Sequence, residues 1–334
     1  MDVLSLVLQE LRFESAAYRW FDLGTPFRIG FDQAGLRGVH IIARGHCELA
    51  FPDGTVQPLM AGDLVILPRG DAHLLRSPGA GAHAPVVSGF ELAMRTQASR
   101  LHAGGSGDDT VVVCGAFIVG EPEHPALRGL PRTIHVPGAT GRTPPWLAPF
   151  IDALSAEAFN GGPGSDLVMA RLSDALLARA LRHHSDTVDQ PGWLLGLRDP
   201  YVAAALNAMH TDLAQPWTLA SLARTVGLSR AAFAARFTDQ LGEPAIRYLL
   251  SLRMQRARTL LRDQRATVAA VAAQVGYQSD VAFAAAFKRE TGSSPGAYRR
   301  AATDIGDATR RPLRHDRAAQ GRGRVAGPPG VSAG

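Results

Sequence analysis

The sequence predicts a multidomain protein, with a β-rich N-terminal region carrying flanking helices and an all-α C-terminal region. The C-terminal region reads as two helix-turn-helix units joined by a long helix. Three observations lead there. Short apolar runs bounded by Gly, Pro or Asp fill the first 140 residues. A helical pattern repeats near the C-terminus, and the charge changes sign between the two parts of the chain. Residues 1–197 hold 15 Arg against 20 acidic residues, whereas residues 198–334 hold 20 basic against 10 acidic residues. A core is affordable at 46% hydrophobic residues, which excludes a disordered chain.

In the N-terminal part, Val39–Ile42, Cys47–Phe51, Leu64–Leu67, Val86–Phe90 and Val111–Val113 are expected strands. Residues 146–160 and 165–184 read as helices. In the second, Met169, Leu172, Leu176 and Ala180 share one face, either as core or as a subunit contact. His183 to Pro200, with its Pro, Gly and Asp, reads as a connector. Two cysteines are too few for a disulfide scaffold. Met1-Asp2-Val3-Leu4 lacks the basic start of a signal peptide, and no run approaches the ~20 apolar residues of a membrane span. A soluble, cytoplasmic chain without membrane partners is expected.

From Tyr201 to Arg300 the reading is all helix. Leu222, Ala223, Val226 and Gly227 recur 49 residues later as Val271, Ala272, Val275 and Gly276. Ser229, Phe233, Ala235, Phe237, Gly242 and Tyr248 recur 50 residues later as Ser279, Phe283, Ala285, Phe287, Gly292 and Tyr298. The extra residue falls in the turn. Thr218 and Thr267 stand where each unit's first helix needs an N-cap, Ser229 caps a second helix, and Gly242 ends it. Pro244 opens a long helix through Arg262 that connects the units and sets their spacing. A short helix, a Gly-centred break and a helix with Phe at i and i+4 is the helix-turn-helix pattern, whose second helix enters a DNA major groove. The basic half of the chain is the half with the repeat, as phosphate contact requires. Arginine number alone says less, because Lys288 stands as the one lysine beside 34 arginines, a composition bias.

These residues resemble a known family. Trp217 through Ala223, Ser229 through Gly242, Val275 through Gly292 and Ser294 through Arg299 are similar to the DNA-binding domain of AraC/XylS-type transcription regulators. The resemblance implies recognition helices at about 229–240 and 279–290, entering major-groove faces about 34 Å apart. It implies base-facing positions at Arg230, Ala231, Ala234 and Ala235, and at Asp280, Val281, Ala284 and Ala285. Many family members carry Arg where this chain has Ala235 and Ala285, so only apolar contact, as to a thymine methyl, remains there. Arg230 and Arg236 stand as compensating contacts, Arg236 equally to phosphate or solvent. Ser229, Gln278 and Ser279 offer polar contacts. The paired phenylalanines are read as core rather than as base-stacking groups.

Gly62 through His73 fits G-x5-P-x-G-x2-H, a strand between two glycine turns that ends in a histidine. With His40 through Leu49 and Val113-Cys114-Gly115, it resembles the cupin-type sensor domain attached to one branch of these regulators. The implied N-terminal fold is a cupin-like jelly-roll β-barrel. A catalytic cupin would place a second His at Ile42 and a Glu nearby, and Glu48 is out of register. No metal, cofactor or enzymatic activity is therefore expected. His40 and His73 are candidate effector contacts. Cys47 and Cys114 are redox candidates, with His46 beside Cys47 as a group that would lower its pKa.

The expected organisation is a sensing and dimerising domain at 1–185, a linker at 186–200, the DNA-binding domain at 201–300 and a disordered basic tail at 301–334. The expected function is sequence-specific DNA binding in transcription control, governed by a small molecule or a redox signal. Two alternatives stand beside it: a constitutive DNA binder whose barrel only dimerises, and a catalytic cupin fused to a DNA-binding domain. Double-stranded DNA, an effector, RNA polymerase and a second copy of the chain, paired through 146–184, are the expected partners.

Overall fold

The computed structural model describes residues 2–11, 13–33, 35–81, 84–95, 100–119, 124–138, 142–160, 162–262 and 266–301. Apart from Ala301, the expected tail lies outside them. Helix α1 (Val3–Leu11) buries Val3, Leu4, Val7 and Leu11 on one face. Strands β1 (Phe13–Gly24), β2 (Arg28–Phe31), β3 (Arg37–Arg44), β4 (His46–Ala50), β5 (Val56–Met60) and β6 (Leu64–Leu67) follow. Then come β7 (His73–Arg76), β8 (Val87–Ser88), helix α2 (Gly89–Met94), β9 (Arg100–Gly104), β10 (Asp109–Val119), helix α3 (Pro125–Arg128) and β11 (Ile134–Val136).

Two sheets result, one ordered β11-β6-β3-β10-β1-β9 and the other β5-β4-β7-β2-β8. Their facing sides bury Phe21, Leu23, Ile29, Ile42, Leu49, Leu75 and Val112 in one core. Along β10, Asp109 to Val119 pairs antiparallel with β1 on one side and β3 on the other, so this strand carries the sheet's register. The expected strand Val86–Phe90 is cut short. Ser88 caps α2 by accepting the Glu91 N–H at 3.2 Å, and a Cβ on Gly89 would lie 2.5 Å from the Phe31 ring. The cap turns the chain into a helix where only glycine fits.

Helices α4 (Ala148–Asn160) and α5 (Ser165–Thr187) match expectation closely. Met169, Leu176 and Ala180 are buried, and Ser173 of the same helix bonds the Tyr18 hydroxyl of β1 at 3.1 Å. This stripe is core within the chain, not a surface left for a second subunit.

The expected linker is packed as well. Helix α6 (Trp193–Gly196) buries Trp193 and Leu194, and Trp193 Nε1 donates to the Ala126 carbonyl at 2.8 Å. Helices α7 (Pro200–Thr211), α8 (Leu219–Thr225), α9 (Arg230–Leu241), α10 (Ala245–Arg262), α11 (Val268–Gln274) and α12 (Asp280–Thr291) complete the fold. The Gly192 N–H donates to the Gln240 carbonyl at the end of α9, at 2.8 Å. Two compact units emerge: Met1–Asp212 with Trp217–Leu252, and Leu213–Pro216 with Arg253–Gly334. The first helix-turn-helix thus belongs to the same unit as the sheets.

A carboxylate contributes to that union. Glu10 of α1 accepts from His124 Nε2 at 2.9 Å, and His210 Nδ1 of α7 lies 3.4 Å away. His210 Nε2 is 2.9 Å from the Tyr248 hydroxyl of α10. Burial by itself would raise the Glu10 pKa, but the hydrogen bond from His124 and the adjoining His210 outweigh it and hold the carboxyl down at about 2. A carboxyl lowered on folding stabilises the native state above its unfolded pKa and loses that contribution as pH falls toward the folded one. Glu10 should therefore contribute on the order of 3 kcal/mol at most, fully present above about pH 4.5 and lost toward pH 2. Denaturant titrations of wild type and Glu10→Gln should show a stability gap that closes across that window. A gap of constant size down to pH 2 would contradict this account of the Glu10 carboxylate.

Candidate nucleic-acid interface and effector cavity

The two helix-turn-helix copies share their helix caps, terminating glycines and paired phenylalanines, and the first adds a reciprocal bond from the Thr218 N–H to the Ser221 hydroxyl. Thr218 and Thr267 accept N–H groups from Ser221 and Ala270, at 3.0 and 3.1 Å. Ser229 caps α9 through Ala232 at 3.2 Å, and Ser279 caps α12 through Ala282 at 3.3 Å. Gly242 and Gly292 close the helices in the left-handed region at φ 78° and 79°, each donating back at 2.8 Å. Phe233 and Phe237 lie 5.6 Å apart by ring centre, as do Phe283 and Phe287. Tyr248 and Tyr298 close on the second ring of each pair. All four phenylalanines are fully buried, in keeping with a packing role.

The opposite faces of α9 and α12 are open. Arg230, Ala231 and Ala235 are exposed in the first, and Asp280, Val281 and Ala285 in the second, with Gln278 exposed just before it. Val281 is 75% exposed, a high value for a valine outside a contact surface. Ala234 and Ala284 are half-buried and lie at the edge of this surface. Ser229 and Ser279 are exposed, but their hydroxyls are already engaged as caps. Arg236 departs most from expectation. It pairs with Asp199, which caps α7, and its guanidinium stacks 4.9 Å over the Tyr201 ring. This arginine joins α9 to α7 instead of standing free for a base.

The first sheet meets the second around a cavity of about 510 Å³. One rung of the larger sheet sets its chemistry: Arg19 of β1 faces Cys114 of β10, which faces His40 of β3. His73, first residue of β7, comes to the same place from the other sheet, as the glycine-turn motif implied. The hydrogen bonds fix the tautomers. His73 Nδ1 lies 2.8 Å from the Asp71 carbonyl, which can only accept, so this nitrogen carries the proton. His73 Nε2 then accepts from His40 Nε2 at 2.7 Å, and His40 Nδ1 accepts from the Cys114 thiol at 3.2 Å. Burial lowers the pKa of both imidazoles, that of His40 further through the neighbouring His73, so the pair stays neutral.

Such a chain is a poor metal site. The two Nε2 atoms are spent on each other at 2.7 Å, whereas two ligands at 2.0–2.1 Å tetrahedral distance need roughly 3.3 Å between them. No three His, Cys, Asp or Glu side chains converge suitably among the described residues.

The cysteines are equally guarded. Cys47 sits in the core with its thiol pushed up to about 12, by burial first and then by Asp63 and Glu48. His46 points to the opposite, exposed face of β4, so it does not lower that pKa as adjacency in sequence suggested. Burial also raises the Cys114 thiol well above its usual value, although Cys114 borders the cavity.

Sequence reading missed the cavity's other walls: Phe21, Phe31, Leu36, Phe90, Met94 and Leu167, with Arg19, Arg37 and Asp71. An arginine between apolar neighbours, as at Tyr18-Arg19-Trp20, was the available signal.

Comparison with known proteins agrees with both halves. A family described as Cupin matches residues 2–186, and one described as Helix-turn-helix domain matches residues 222–301. A Streptomyces lividans protein described as an AraC-like transcription regulator is 34% identical over 90% of this chain and 98% of its own. The chain belongs to the AraC family of transcription regulators. The HTH-type transcriptional regulator AlkR of Acinetobacter baylyi is 29% identical over 90% of this chain and 99% of its own. The RCS-specific activator RclR of Escherichia coli is 28% identical over 90% and 97%. The solved DNA-binding domain of AdpA in complex with a target DNA is 33% identical, covering 31% of this chain and 92% of its own, with a TM-score of 0.30. Relatives spanning nine-tenths of this family member are regulators, not enzymes. No helix among the described residues is long and apolar enough to cross a membrane.

The thiol environment makes a direct prediction. Iodoacetamide at about pH 7.5 should label Cys47 and Cys114 of the native protein ~100-fold or more slowly than in denaturant, because so little thiolate is present. Labelling of either at the denatured rate would show that burial does not protect it.

Proposed function

We propose that this AraC-family protein binds specific operator sites through α9 and α12 and is governed by a small molecule held in the N-terminal cavity. The carrying observation is the pairing of two capped helix-turn-helix copies with a lined cavity in the same chain. Base contact falls to Arg230 and to the small and apolar groups Ala231, Ala235, Val281 and Ala285, with Gln278 and Asp280 supplying polar contacts. Such a surface reads thymine methyls and shape more than guanine edges. The protein acts in the cytoplasm, where it meets DNA and RNA polymerase, and pairs with a second copy to occupy two half-sites.

A small molecule is a better-supported signal than oxidation. RclR is named as RCS-specific, but in this chain burial keeps both thiols protonated. The cavity likewise supports an effector domain over a barrel that only dimerises.

The test is a footprint of the full-length protein on its own upstream intergenic DNA. Protection of two major-groove faces about one helical turn apart is expected. Arg230→Ala should change which sites are preferred by roughly 1–3 kcal/mol for a single base contact. Uniform weakening over all sites would remove Arg230 from the base-reading set. Absence of protection at modest salt, whatever the cell extract added, would refute the DNA-binding assignment of these helices.

A further inference from the structure

The cavity carries more information than its volume. Its apolar walls run out to the opening, where Phe90 is 38% exposed, Met94 71% and Leu167 62%. Large apolar groups gathered around one mouth are costly to leave in water and mark a surface that something covers. The cavity also holds a buried charge. Arg37 is 6% exposed, and its Nε and Nη1 donate to the carbonyls of Pro68 and Gly35 at 2.9 and 3.3 Å. Among the described residues no carboxylate lies within 4 Å of it, and Nη2 is the part of the guanidinium left to the cavity it lines.

Arg19 lines the same space from the Cys114–His40 rung. Its Nη1 donates to the Tyr18 carbonyl at 2.9 Å, while its buried Nε has no partner among the described residues. Of the two other charged walls, Arg171 is paired with Asp174 at 2.7 Å, whereas Asp71 Oδ1 reaches Arg132 only at 4.0 Å and that arginine is held by Asp53 at 2.6 Å. Asp71 Oδ2 is buried without a donor, a place for a hydroxyl or amide on the same ligand. A buried guanidinium held only by carbonyls costs several kcal/mol unless an anion completes it. Desolvation accordingly lowers the Arg37 pKa.

We infer that the cavity binds an organic monoanion: an apolar alkyl or aryl body under the Phe31–Phe90–Met94 wall, with its carboxylate between Arg19 and Arg37. This rests on the effector-cavity reading and names the ligand's chemical class. Neutral hydrocarbons would leave both guanidinium edges unpaired. Small hydrophilic anions would leave the apolar mouth in water.

The experiment is calorimetric titration of the full-length protein with straight-chain alkanoates and phenylalkanoates of four to twelve carbons, each beside the alcohol of the same skeleton. At least one carboxylate should bind tenfold or more tightly than its alcohol. That preference should disappear in Arg19→Gln and in Arg37→Gln. Because Arg37 also anchors two loop carbonyls, Arg19→Gln alone suffices if Arg37→Gln does not fold. Alcohols binding as tightly as carboxylates, an undiminished preference in Arg19→Gln, or no binding from the whole panel would each overturn the inference. A footprint made in parallel separates the two failures. Loss of the anion preference with an intact footprint removes the ligand class alone, whereas anion binding without any footprint removes the regulator reading alone.

Discussion

Strand β10 is the constraint on which the N-terminal site depends. It pairs with β1 from Asp109 to Val119 and with β3 from Val111 to Phe117, and so fixes the register of three strands at once. Side chains alternate across a strand, so a slip of one residue would turn Cys114 outward and bring Phe117 into the cavity. The existing register puts Arg19, Cys114 and His40 on one rung, within reach of His73 from the facing sheet. The placing of Arg19, Cys114 and His40 on the cavity wall follows from that choice. The apolar residues Val112 and Ile42 on the next rung seal the site from the remaining core.

The C-terminal repeat shows a different economy. Each copy spends its serine and threonine hydroxyls on helix N-termini, its glycines on left-handed turns, and its aromatic rings on one small core. Three faces of each recognition helix are thereby committed to structure, and only the exposed face is free to differ. It does differ: arginine and alanines in α9, aspartate, valine and alanine in α12. Divergence on the open face, over a shared frame of caps, glycines and phenylalanines, fits the proposal that the two helices read different bases.

The helical region was legible in the sequence because its determinants are local. A cap, its N–H acceptor position and a terminating glycine lie within a dozen residues, and the 3.6-residue period marks the buried face. Ser229, Gly242 and Thr267 were readable for that reason. The β region was only partly legible. His73 carried a motif, but the cavity depends on strand partners far apart: Arg19 meets Cys114 across 95 residues. No local pattern contains that pairing. The same limit explains Arg236, which looks like a DNA contact on a helical wheel but is taken by Asp199, 37 residues earlier. The connector read from Pro, Gly and Asp likewise gave no sign that Trp193 would donate to the Ala126 carbonyl, 67 residues earlier.

A contiguous set of contacts leads from the cavity to the first recognition helix within one compact unit. Arg19 stands beside Tyr18, whose hydroxyl meets Ser173 of α5. Strand β1 follows α1 directly, and Glu10 at the end of α1 holds both His124 and His210. His210 meets Tyr248, whose ring packs on Phe237 of α9. Contiguity alone is not regulation, since a ligand shifts an equilibrium only by its differential affinity for two arrangements. The anion proposed for Arg19 and Arg37 would touch β1 and β3 directly, and β1 follows in sequence the helix whose Glu10 meets His210 of α7. Under the proposed reading, the coupling is the difference in ligand affinity between two arrangements of β1, and the contacts of Glu10 with His124 and His210 are what tie that strand's neighbour α1 to α7.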